Sequence, residues 1–431
     1  MLEKKEFANR AVLVGLCASS QLREERANDQ SMEELAALLE TAGGECLGIF
    51  IQNKDTPDSR TYIGEGKVQE VKEFAMASDA DMVIFDNSLS PSQQRALSHD
   101  LDLPVMDRAA LILDIFAMRA QTREGRLQVE LAQYQYLLPR LTGMWGHLVR
   151  QTAAGGKSPI GTRGPGETQL ETDRRHIHRK ITKLKEELRE VRRIRGVQRE
   201  RRTKNEVPVV AIVGYTNAGK STLLNRMTDS SIPARNRLFD TLDTTTRTLE
   251  ISDTCTVLLS DTVGFISKLP HHLVEAFKAT LEELSFADLL LHVIDLSNPE
   301  WLEQKEVVEK LISELGAEQI PTLQVFNKCD IQTAMLPHGK DMVAISAKTG
   351  EGLEDLLASI GNHLDGGTQK VTLHLPYEKG GILEILHQEA KVESVEYTET
   401  IDVVAVCTPK TIGQFCQFVE GYKPHKEFWE E

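Results

Sequence analysis

Residues 214–221, GYTNAGKS, have the spacing G-x-x-x-x-G-K-[ST], which predicts a phosphate-binding loop. An apolar run at 209–213 precedes them and helix-forming residues at 221–227 follow, so a strand would lead through a glycine-rich turn into a helix. Backbone N–H groups in such a turn converge on phosphate, Lys220 would reach the β- and γ-phosphates, and Ser221 would hold Mg²⁺. A chance glycine turn is the alternative. The residues predicted to contact a nucleoside triphosphate are Gly214, Tyr215, Thr216, Asn217, Ala218, Gly219, Lys220 and Ser221.

Two segments that follow apolar runs predict which base is bound. Residues 327–330 (NKCD) follow the apolar run 321–326, and residues 346–348 (SAK) follow the apolar run 342–345. The Asp330 carboxylate could accept hydrogen bonds from the ring N–H and the exocyclic amine of guanine, a pair that adenine does not offer. Asn327 would brace the loop, and a solvated turn is the alternative reading. The predicted contacts to guanine, and hence to GTP, are Asn327, Lys328, Cys329, Asp330, Ser346, Ala347 and Lys348.

Residues 261–264 (DTVG) follow a predicted strand at 257–260 and complete the phosphate site. Asp261 would bind Mg²⁺ through water, and the Gly264 N–H would contact the γ-phosphate. We choose Thr241 as the second hydroxyl ligand of Mg²⁺, with Thr244, Thr245 and Thr246 as alternatives and a β-prone strand start as the competing interpretation. The prediction assigns Lys220, Thr241 and Gly264 to catalysis and Ser221 and Thr241 to the metal, and it adds Phe239, Asp240, Thr241, Leu242, Asp243, Asp261, Thr262, Val263 and Gly264 to the nucleotide contacts.

Together these segments resemble those of the Ras-like GTPases, with one departure that bears on mechanism. The residue after Gly264 is Phe265, where Ras places the glutamine that orients the attacking water. Phenylalanine has no hydrogen-bonding group, so its side chain cannot orient water. We therefore expect slow intrinsic hydrolysis that a partner stimulates.

Several further segments are not demanded by nucleotide binding alone or extend the motifs above. They are FDTLDTTTR (239–247), DTVGFISKLP (261–270), GTRGPGETQLETDRR (161–175), YIGEGK (62–67), SPSQ (90–93), Asp107-Arg108 and ILDIFAMRAQTREGRLQVE (112–130). These segments closely resemble those of the HflX family of ribosome-associated GTPases. The resemblance covers about residues 8–365, and one position departs from the family pattern, because Thr244 stands where the family usually has proline.

The resemblance implies a GTP-hydrolysing switch that binds the large ribosomal subunit. It further implies that the N-terminal domains and the loop 151–167 contact ribosomal RNA, that the ribosome stimulates hydrolysis, and that the protein dissociates stalled or idle ribosomes under stress. A GTP-regulated RNA-binding or ribosome assembly factor without splitting activity remains an alternative. A membrane or signalling scaffold is a third interpretation, disfavoured because we find no lipidation motif.

The composition favours a cytoplasmic protein of several domains. A length of 431 residues allows about three domains. The six cysteines include no C-x-x-C pair, which argues against a disulfide framework and a zinc site. We interpret the apolar residues 11–16 as a first strand rather than part of a signal peptide, and no run reaches the roughly 18 apolar residues of a membrane span. We expect a monomer without integral membrane association, with a peripheral position at the membrane left open.

Charge is distributed unevenly along the chain. The whole chain carries −15, but residues 119–205 contain 21 Lys and Arg against 9 Asp and Glu. Such a basic segment in an acidic chain predicts phosphate contact, here with RNA rather than DNA, against the alternative of a solvated charged helix face. Two amphipathic helices, at about 125–141 and 168–201, predict an antiparallel hairpin whose glycine-rich loop spans 151–167. Thr168 and Glu171 resemble a capping pair that would begin the second helix.

We predict an α/β fold of four domains. Residues 1–118 alternate strand and helix, which indicates an α/β domain with a mostly parallel sheet, and residues 119–205 form the helical hairpin. Residues 206–365 form a GTPase domain with a six-stranded mixed sheet, and residues 366–431 form a small C-terminal α+β domain. YIGEGK at 62–67 predicts a turn and helix start, with a second site for a nucleotide such as ATP left open.

Overall fold

The computed structural model describes residues 9–22, 26–143, 165–204, 207–228, 238–239, 245–252, 255–268, 284–331, 337, 339–364, 369–407 and 409–420. Two groups of predicted features lie outside these residues: the site residues Asp240, Thr241, Leu242 and Asp243, and all but the last three residues of the glycine-rich loop. No helix among the described residues is long and apolar enough to cross a membrane.

The N-terminal domain is a parallel sheet of order β2-β1-β3-β4 with helices on both faces. Alternate residues of the first strand enter two separate cores: Leu13 packs with the first and fourth helices, and Val14 with the second and third. The predicted alternation of strand and helix is confirmed. The elements are β1 (Arg10–Ala18), α1 (Asp29–Thr41), β2 (Glu45–Lys54), α2 (Glu65–Ala77), β3 (Met82–Phe85), α3 (Pro91–Leu101), β4 (Val105–Asp107) and α4 (Arg108–Arg119).

The helical hairpin consists of α5 (Arg123–Leu137), a 3₁₀ turn (Leu138–Gly143) and α6 (Pro165–Lys204). The predicted apolar stripes of the two helices meet in one cluster. Ile194 is the exception, because its side chain is 48% exposed. The predicted start at Thr168 is wrong, since α6 begins three residues earlier at Pro165, a residue that suits the first turn of a helix.

The GTPase domain contains a six-stranded sheet of order β10-β9-β8-β5-β7-β6. Only β6 is antiparallel to its neighbour, so the predicted mixed sheet is confirmed. Because the other strands are parallel, their carboxyl ends meet at one edge, where α/β sheets bind ligands. The elements are β5 (Val209–Gly214), α7 (Lys220–Met227), β6 (Thr245–Ser252), β7 (Cys255–Asp261), β8 (Leu289–Asp295), α8 (Trp301–Glu314), β9 (Thr322–Asn327), β10 (Met342–Ala344) and α9 (Leu353–Leu364).

The C-terminal domain is a three-stranded antiparallel sheet of order β11-β13-β12 packed against short helices. The predicted α+β class is confirmed. Its last helix ends at Gln414, and a separate 3₁₀ turn follows at Cys416–Phe418. The elements are β11 (Gln369–Leu375), α10 (Gly381–Glu389), β12 (Lys391–Tyr397), β13 (Ile401–Cys407) and α11 (Pro409–Gln414).

One apolar core runs from the N-terminal domain into the GTPase domain. Leu113 and Phe116 of α4 belong to the same cluster as Tyr215, Phe239 and Phe265, which lie on or beside the predicted nucleotide loops. The N-terminal domain therefore packs directly against the part of the GTPase domain that was predicted to hold phosphate.

Candidate functional site

The loop after β5 has the shape that the phosphate-binding motif predicts. Gly219 has φ +94°, a conformation that favours glycine, and a Cβ there would collide with the side-chain amide of Asn327. A Cβ on Gly214 would collide with the carbonyl oxygen of Val293 on the neighbouring strand. Gly219 is also the residue from which α7 begins, so the loop runs straight into a helix N-terminus, a natural anion site.

Lys220 lies inside this loop. The residue is only 5% exposed, and its Nζ donates a hydrogen bond to the Tyr215 carbonyl at 2.7 Å. Burial lowers the pKa of Lys220 to about 8, although the nearby Asp261 carboxylate opposes that shift. The ammonium is therefore held within the loop by a neutral carbonyl, which leaves it suited to an anionic ligand such as phosphate.

Ser221 and Asp261, the residues predicted to serve a metal, lie together. The Ser221 hydroxyl donates to Asp261 Oδ2 at 2.8 Å, and Asp261 is 1% exposed. Hard oxygen donors of this kind fit Mg²⁺, which typically uses one or two protein ligands together with substrate phosphates and water. Among the described residues no group of three or more His, Cys, Asp or Glu is placed to hold a metal ion.

The segment that follows β7 is bonded to the phosphate loop through its backbone. The Thr216 N–H donates to the Phe265 carbonyl at 2.7 Å, and the Phe265 N–H donates to the Gly214 carbonyl at 3.1 Å. Gly264 fits closely here, because a Cβ on it would lie 2.9 Å from Lys220 Nζ and 3.0 Å from Thr216 Cα. The predicted γ-phosphate sensor thus sits beside the predicted phosphate-binding lysine.

Phe265 points away from this edge. Its side chain is 2% exposed and belongs to the core shared with the N-terminal domain. Phe239 enters the same core, where its ring meets the Phe116 ring edge-on at 4.7 Å between centroids. Both aromatic residues therefore anchor nucleotide-loop segments to the N-terminal domain. The inability of Phe265 to orient water, expected from its chemistry, follows from its position as well.

Asn327 joins the predicted base-binding loops to the phosphate loop. Its Nδ2 donates to the Ala218 carbonyl at 2.8 Å, and its Oδ1 accepts from the Ala347 N–H at 2.9 Å. It is 2% exposed, and it is the brace that the sequence predicts. Asp330 is exposed at the end of the same loop, where its carboxylate can meet a ligand.

The other residues of the base side follow the same pattern. Ser346 is buried, and its Oγ accepts from the Thr349 N–H at 3.1 Å, which closes the turn that presents Ala347. Lys348 is exposed. Lys328 donates to Asp295 Oδ2 at 2.6 Å. Sequence reasoning missed Asp295, whose signal was an acidic residue at the end of a buried strand, the position that β8 shares with the motif strands.

Sequence reasoning also missed the N-terminal residues that reach this site. Glu34 of α1 accepts hydrogen bonds from the Tyr215 and Ser267 hydroxyls, and Arg108 of α4 pairs with Glu34 and with Asp86. No local motif marks these contacts, because each joins residues far apart in the chain.

The hairpin presents its basic residues to solvent. On α6 the residues Ile177 and Ile181 face the apolar cluster, and the basic residues between and beside them are exposed. The exposed basic side chains of this helix include Arg174, Arg175, Arg179, Lys180, Lys183, Lys185, Arg189 and Arg193.

Four family models match the chain in sequence. They are described as GTP-binding GTPase N-terminal (residues 29–117), GTP-binding GTPase Middle Region (119–202), 50S ribosome-binding GTPase (209–328) and HflX C-terminal domain (333–407). The last match includes β10 and α9, although β10 completes the six-stranded sheet beside β9.

Relatives of known name match over nearly the whole chain. GTPase HflX of Caldanaerobacter subterraneus subsp. tengcongensis is 47% identical over 400 residues, which cover 93% of this chain and 91% of that protein. GTPase HflX of Escherichia coli K12 is 42% identical, with coverage of 91% and 92%. Among solved structures, a GTP-binding protein from Sulfolobus solfataricus in complex with GDP is 25% identical and aligns over 83% of this chain and 99% of that chain, with a TM-score of 0.43.

Proposed function

The chain belongs to the HflX family of GTPases, and we propose that it is a GTP-dependent switch that binds the large ribosomal subunit and dissociates stalled or idle ribosomes. It is a GTP-hydrolysing enzyme. The observation that carries the proposal is the position of Phe265. Because this residue is buried in the core shared with the N-terminal domain, the position at which Ras holds its water-orienting glutamine offers no polar side chain here. Completion of the site by a docked partner accounts for that gap.

In this proposal the phosphate loop and the loops at 327–330 and 346–348 hold GTP together. Backbone N–H groups of residues 214–221 surround the phosphates, with the Lys220 ammonium on the β- and γ-phosphates. Asp330 binds the ring N–H and the amine of guanine, and the loop that Ala347 occupies offers an N–H to the guanine carbonyl. The support is geometric, since Asn327 ties these two regions into one site.

Hydrolysis follows from the same arrangement. Lys220 and the Gly264 N–H stabilise the charge that develops on the γ-phosphate oxygens while water attacks in line. Ser221, Thr241 and, through water, Asp261 would hold Mg²⁺, which supplies charge neutralisation at the β- and γ-phosphate oxygens. The short contact between Ser221 and Asp261 supports this assignment for two of the three residues.

The basic face of α6 supplies the RNA contact in this proposal. Its exposed arginines and lysines lie opposite the apolar stripe that packs on α5, so they are available to phosphate without loss of the hairpin core. The family model that matches 209–328 is described as a 50S ribosome-binding GTPase, which supports the large subunit as partner. We accordingly place the protein in the cytoplasm, with ribosomes.

GTP turnover with and without ribosomal particles tests the proposal. We expect the free protein to hydrolyse GTP on the order of 10⁻⁴ to 10⁻³ s⁻¹, the intrinsic scale of a Ras-like site. Large subunits should raise that rate at least about tenfold, and sucrose gradients should show 70S particles converted to subunits in the presence of GTP. Fast turnover by the free protein would contradict a site completed by a partner. Stimulation without subunit release would favour the assembly-factor alternative.

Charge-neutralising variants of the hairpin test the RNA contact. Arg174→Gln, Arg175→Gln and Arg179→Gln together should weaken ribosome binding and reduce the slope of log affinity against log salt by about three units, roughly one per lost phosphate contact. Lys370→Gln with Lys379→Gln, at exposed positions of the C-terminal domain, is the control. An equal loss of ribosome affinity in both variants would contradict a specific RNA contact at the hairpin.

A further inference from the structure

A buried network of charged and hydroxyl side chains joins the N-terminal domain to the nucleotide loops. We call it the interdomain network. Its members are Ser31, Glu34, Asp86 and Arg108 from the N-terminal domain and Tyr215, Ser267 and Lys268 from the GTPase domain. The network contains two carboxylates, which both belong to the N-terminal domain, and two cations, Arg108 and Lys268. Its charges therefore balance only when the GTPase domain contributes Lys268.

Arg108 is the centre of the N-terminal half. The residue is 1% exposed, and its guanidinium pairs with Glu34 and donates to Asp86 Oδ1 at 2.8 Å. Burial lowers the pKa of Arg108, but Glu34 and Asp86 outweigh burial and the net shift is upward, so the guanidinium stays charged. Asp86 in turn pairs with Lys268, which brings in the segment after Gly264. Since unpairing a buried charge is costly, these contacts hold their members in one geometry.

Glu34 links the two parts of the GTPase domain that were predicted to hold phosphate. Its Oε1 accepts from the Tyr215 hydroxyl at 2.6 Å, and its Oε2 accepts from the Ser267 hydroxyl at 2.7 Å. The Tyr215 hydroxyl oxygen also accepts a hydrogen bond from the Ser267 N–H at 2.8 Å. Burial and the neighbouring Glu34 raise the pKa of Tyr215, so its hydroxyl remains a donor.

Through these hydrogen bonds, the Glu34 carboxylate of the N-terminal domain contacts both segments of the GTPase domain that were predicted to hold phosphate. Tyr215 belongs to the phosphate loop, and its carbonyl holds Lys220 Nζ. Ser267 follows Gly264 by three residues, and the intervening Phe265 is bonded to the loop by its backbone. The separation of Lys220 and Gly264 is therefore set from both ends by one N-terminal residue.

We propose that Glu34 is a positioning residue for GTP hydrolysis, acting through Tyr215 and Ser267 on the placement of Gly264 relative to Lys220. The proposal rests on the nucleotide position proposed above. With Phe265 unable to orient water, the rate depends on how accurately the remaining donors meet the γ-phosphate, and a displacement of about 1 Å can cost about 100-fold. GDP has no γ-phosphate, so its binding does not report on Gly264.

Single-turnover GTP hydrolysis by the full chain tests the proposal with three variants. Glu34→Gln keeps the shape but removes the charge, Tyr215→Phe removes one hydroxyl, and the double variant combines them. We expect each single variant to lose about 10- to 100-fold in rate, with GDP affinity within about twofold of the parent. Because both act through one contact, the double variant should be no slower than the slower single variant. Glu33→Gln, an exposed neighbour on α1, is the matched control and should keep the parental rate.

The outcomes are distinguishable from a failure of the nucleotide site itself. Losses that multiply in the double variant, an unchanged rate or a faster rate would each overturn the role of Glu34. If Glu34→Gln does not fold, Tyr215→Phe and Ser267→Ala replace it, since each removes one of the two hydroxyls that bond Glu34. Both should then lose rate and keep GDP affinity, and an unchanged rate in both would overturn the role of Glu34. Intact GDP binding by Lys220→Ala would instead contradict the proposed nucleotide site, whatever the Glu34 variants do.

Discussion

The base side and the phosphate side of the proposed nucleotide site are held by different parts of the molecule. On the base side, Asn327 bridges Ala218 of the phosphate loop and Ala347 of the last loop, and all three belong to the GTPase domain. On the phosphate side, Tyr215 is bonded to Glu34, a residue of the N-terminal domain. One side is self-contained, and the other depends on a second domain.

This difference separates recognition from catalysis. A base-binding loop braced within its own sheet can choose guanine in any orientation of the N-terminal domain. The segments around Phe239 and Phe265 pack into a core shared with α4, so a movement of that domain would be felt directly where the γ-phosphate is predicted to lie. A ribosome that displaced the N-terminal domain could thus alter hydrolysis without altering base choice.

The largest effect expected on the base side is a change of nucleotide. Asp330→Asn should lower GTP affinity by at least about 100-fold and favour xanthosine triphosphate, because that base presents a carbonyl where guanine has its amine. Isothermal titration with both nucleotides measures this, and Glu354→Gln, at an exposed carboxylate of the same domain, is the control. Bound xanthosine triphosphate should be hydrolysed at the parental rate. An equal loss for every nucleotide would refute the assignment of Asp330.

The base side was predictable from sequence because its signals are local. NKCD and SAK each end an apolar run, and buried parallel strands of this kind place their carboxyl ends at one edge whatever the details. Local signals also bound the strands Met82–Phe85 and Ile401–Cys407 and the helix Pro91–Leu101, because proline or a charged or polar turn lies at each end.

The phosphate side was only half predictable. The motifs place Lys220, Ser221 and Asp261, but nothing near Glu34 in the sequence points to Tyr215, which is 181 residues away. The spacing of apolar residues in α1 predicts which face of the helix is buried. It does not predict which polar residue of the helix contacts another domain. Such pairings depend on how the N-terminal and GTPase domains pack against each other, and that information is spread over the whole interface.

Loss of Asn327 should affect both sides, because it is the residue that joins them. Asn327→Ala leaves the Ala218 carbonyl and the Ala347 N–H without their partner, and each such loss costs roughly 1 kcal/mol or more. GTP and GDP affinities should both fall about tenfold or more, measured by fluorescent nucleotide displacement. Ile331→Ala, exposed near the same loop, should leave both unchanged. A loss confined to base choice would show that the two sides are more independent than this bridge implies.

A smaller effect is expected from the aromatic contact on the phosphate side. Phe116→Leu keeps an apolar side chain in the shared core but removes the edge-on contact with Phe239, worth roughly 0.5–1.5 kcal/mol. Single-turnover hydrolysis should slow by about 3- to 10-fold while GDP affinity stays at the parental value. Met118→Ala, on the same helix but 58% exposed, is the control. An equal loss of GDP affinity would mean that the shared core supports the whole site and not the phosphate side alone.

The smallest effect concerns the sheet on which both sides stand. His292 lies on β8 between β5 and β9, and burial, followed by the charges of Lys305 and Lys220, lowers its pKa to about 3. Because the folded state holds His292 neutral while the unfolded state binds a proton near its ordinary pKa, stability is fully present above about pH 6.5 and is lost as the pH falls towards 3. At pH 5.5 this one group should cost about 1 kcal/mol relative to neutral pH. Urea unfolding followed by circular dichroism at pH 7.5 and 5.5 should therefore show a smaller pH dependence for His292→Gln than for the parent, and His99→Gln, at an exposed histidine, should keep the parental dependence. If His292→Gln also keeps the parental pH dependence of stability, His292 is not the group that takes up the proton on unfolding, and other residues cause the loss of stability in acid.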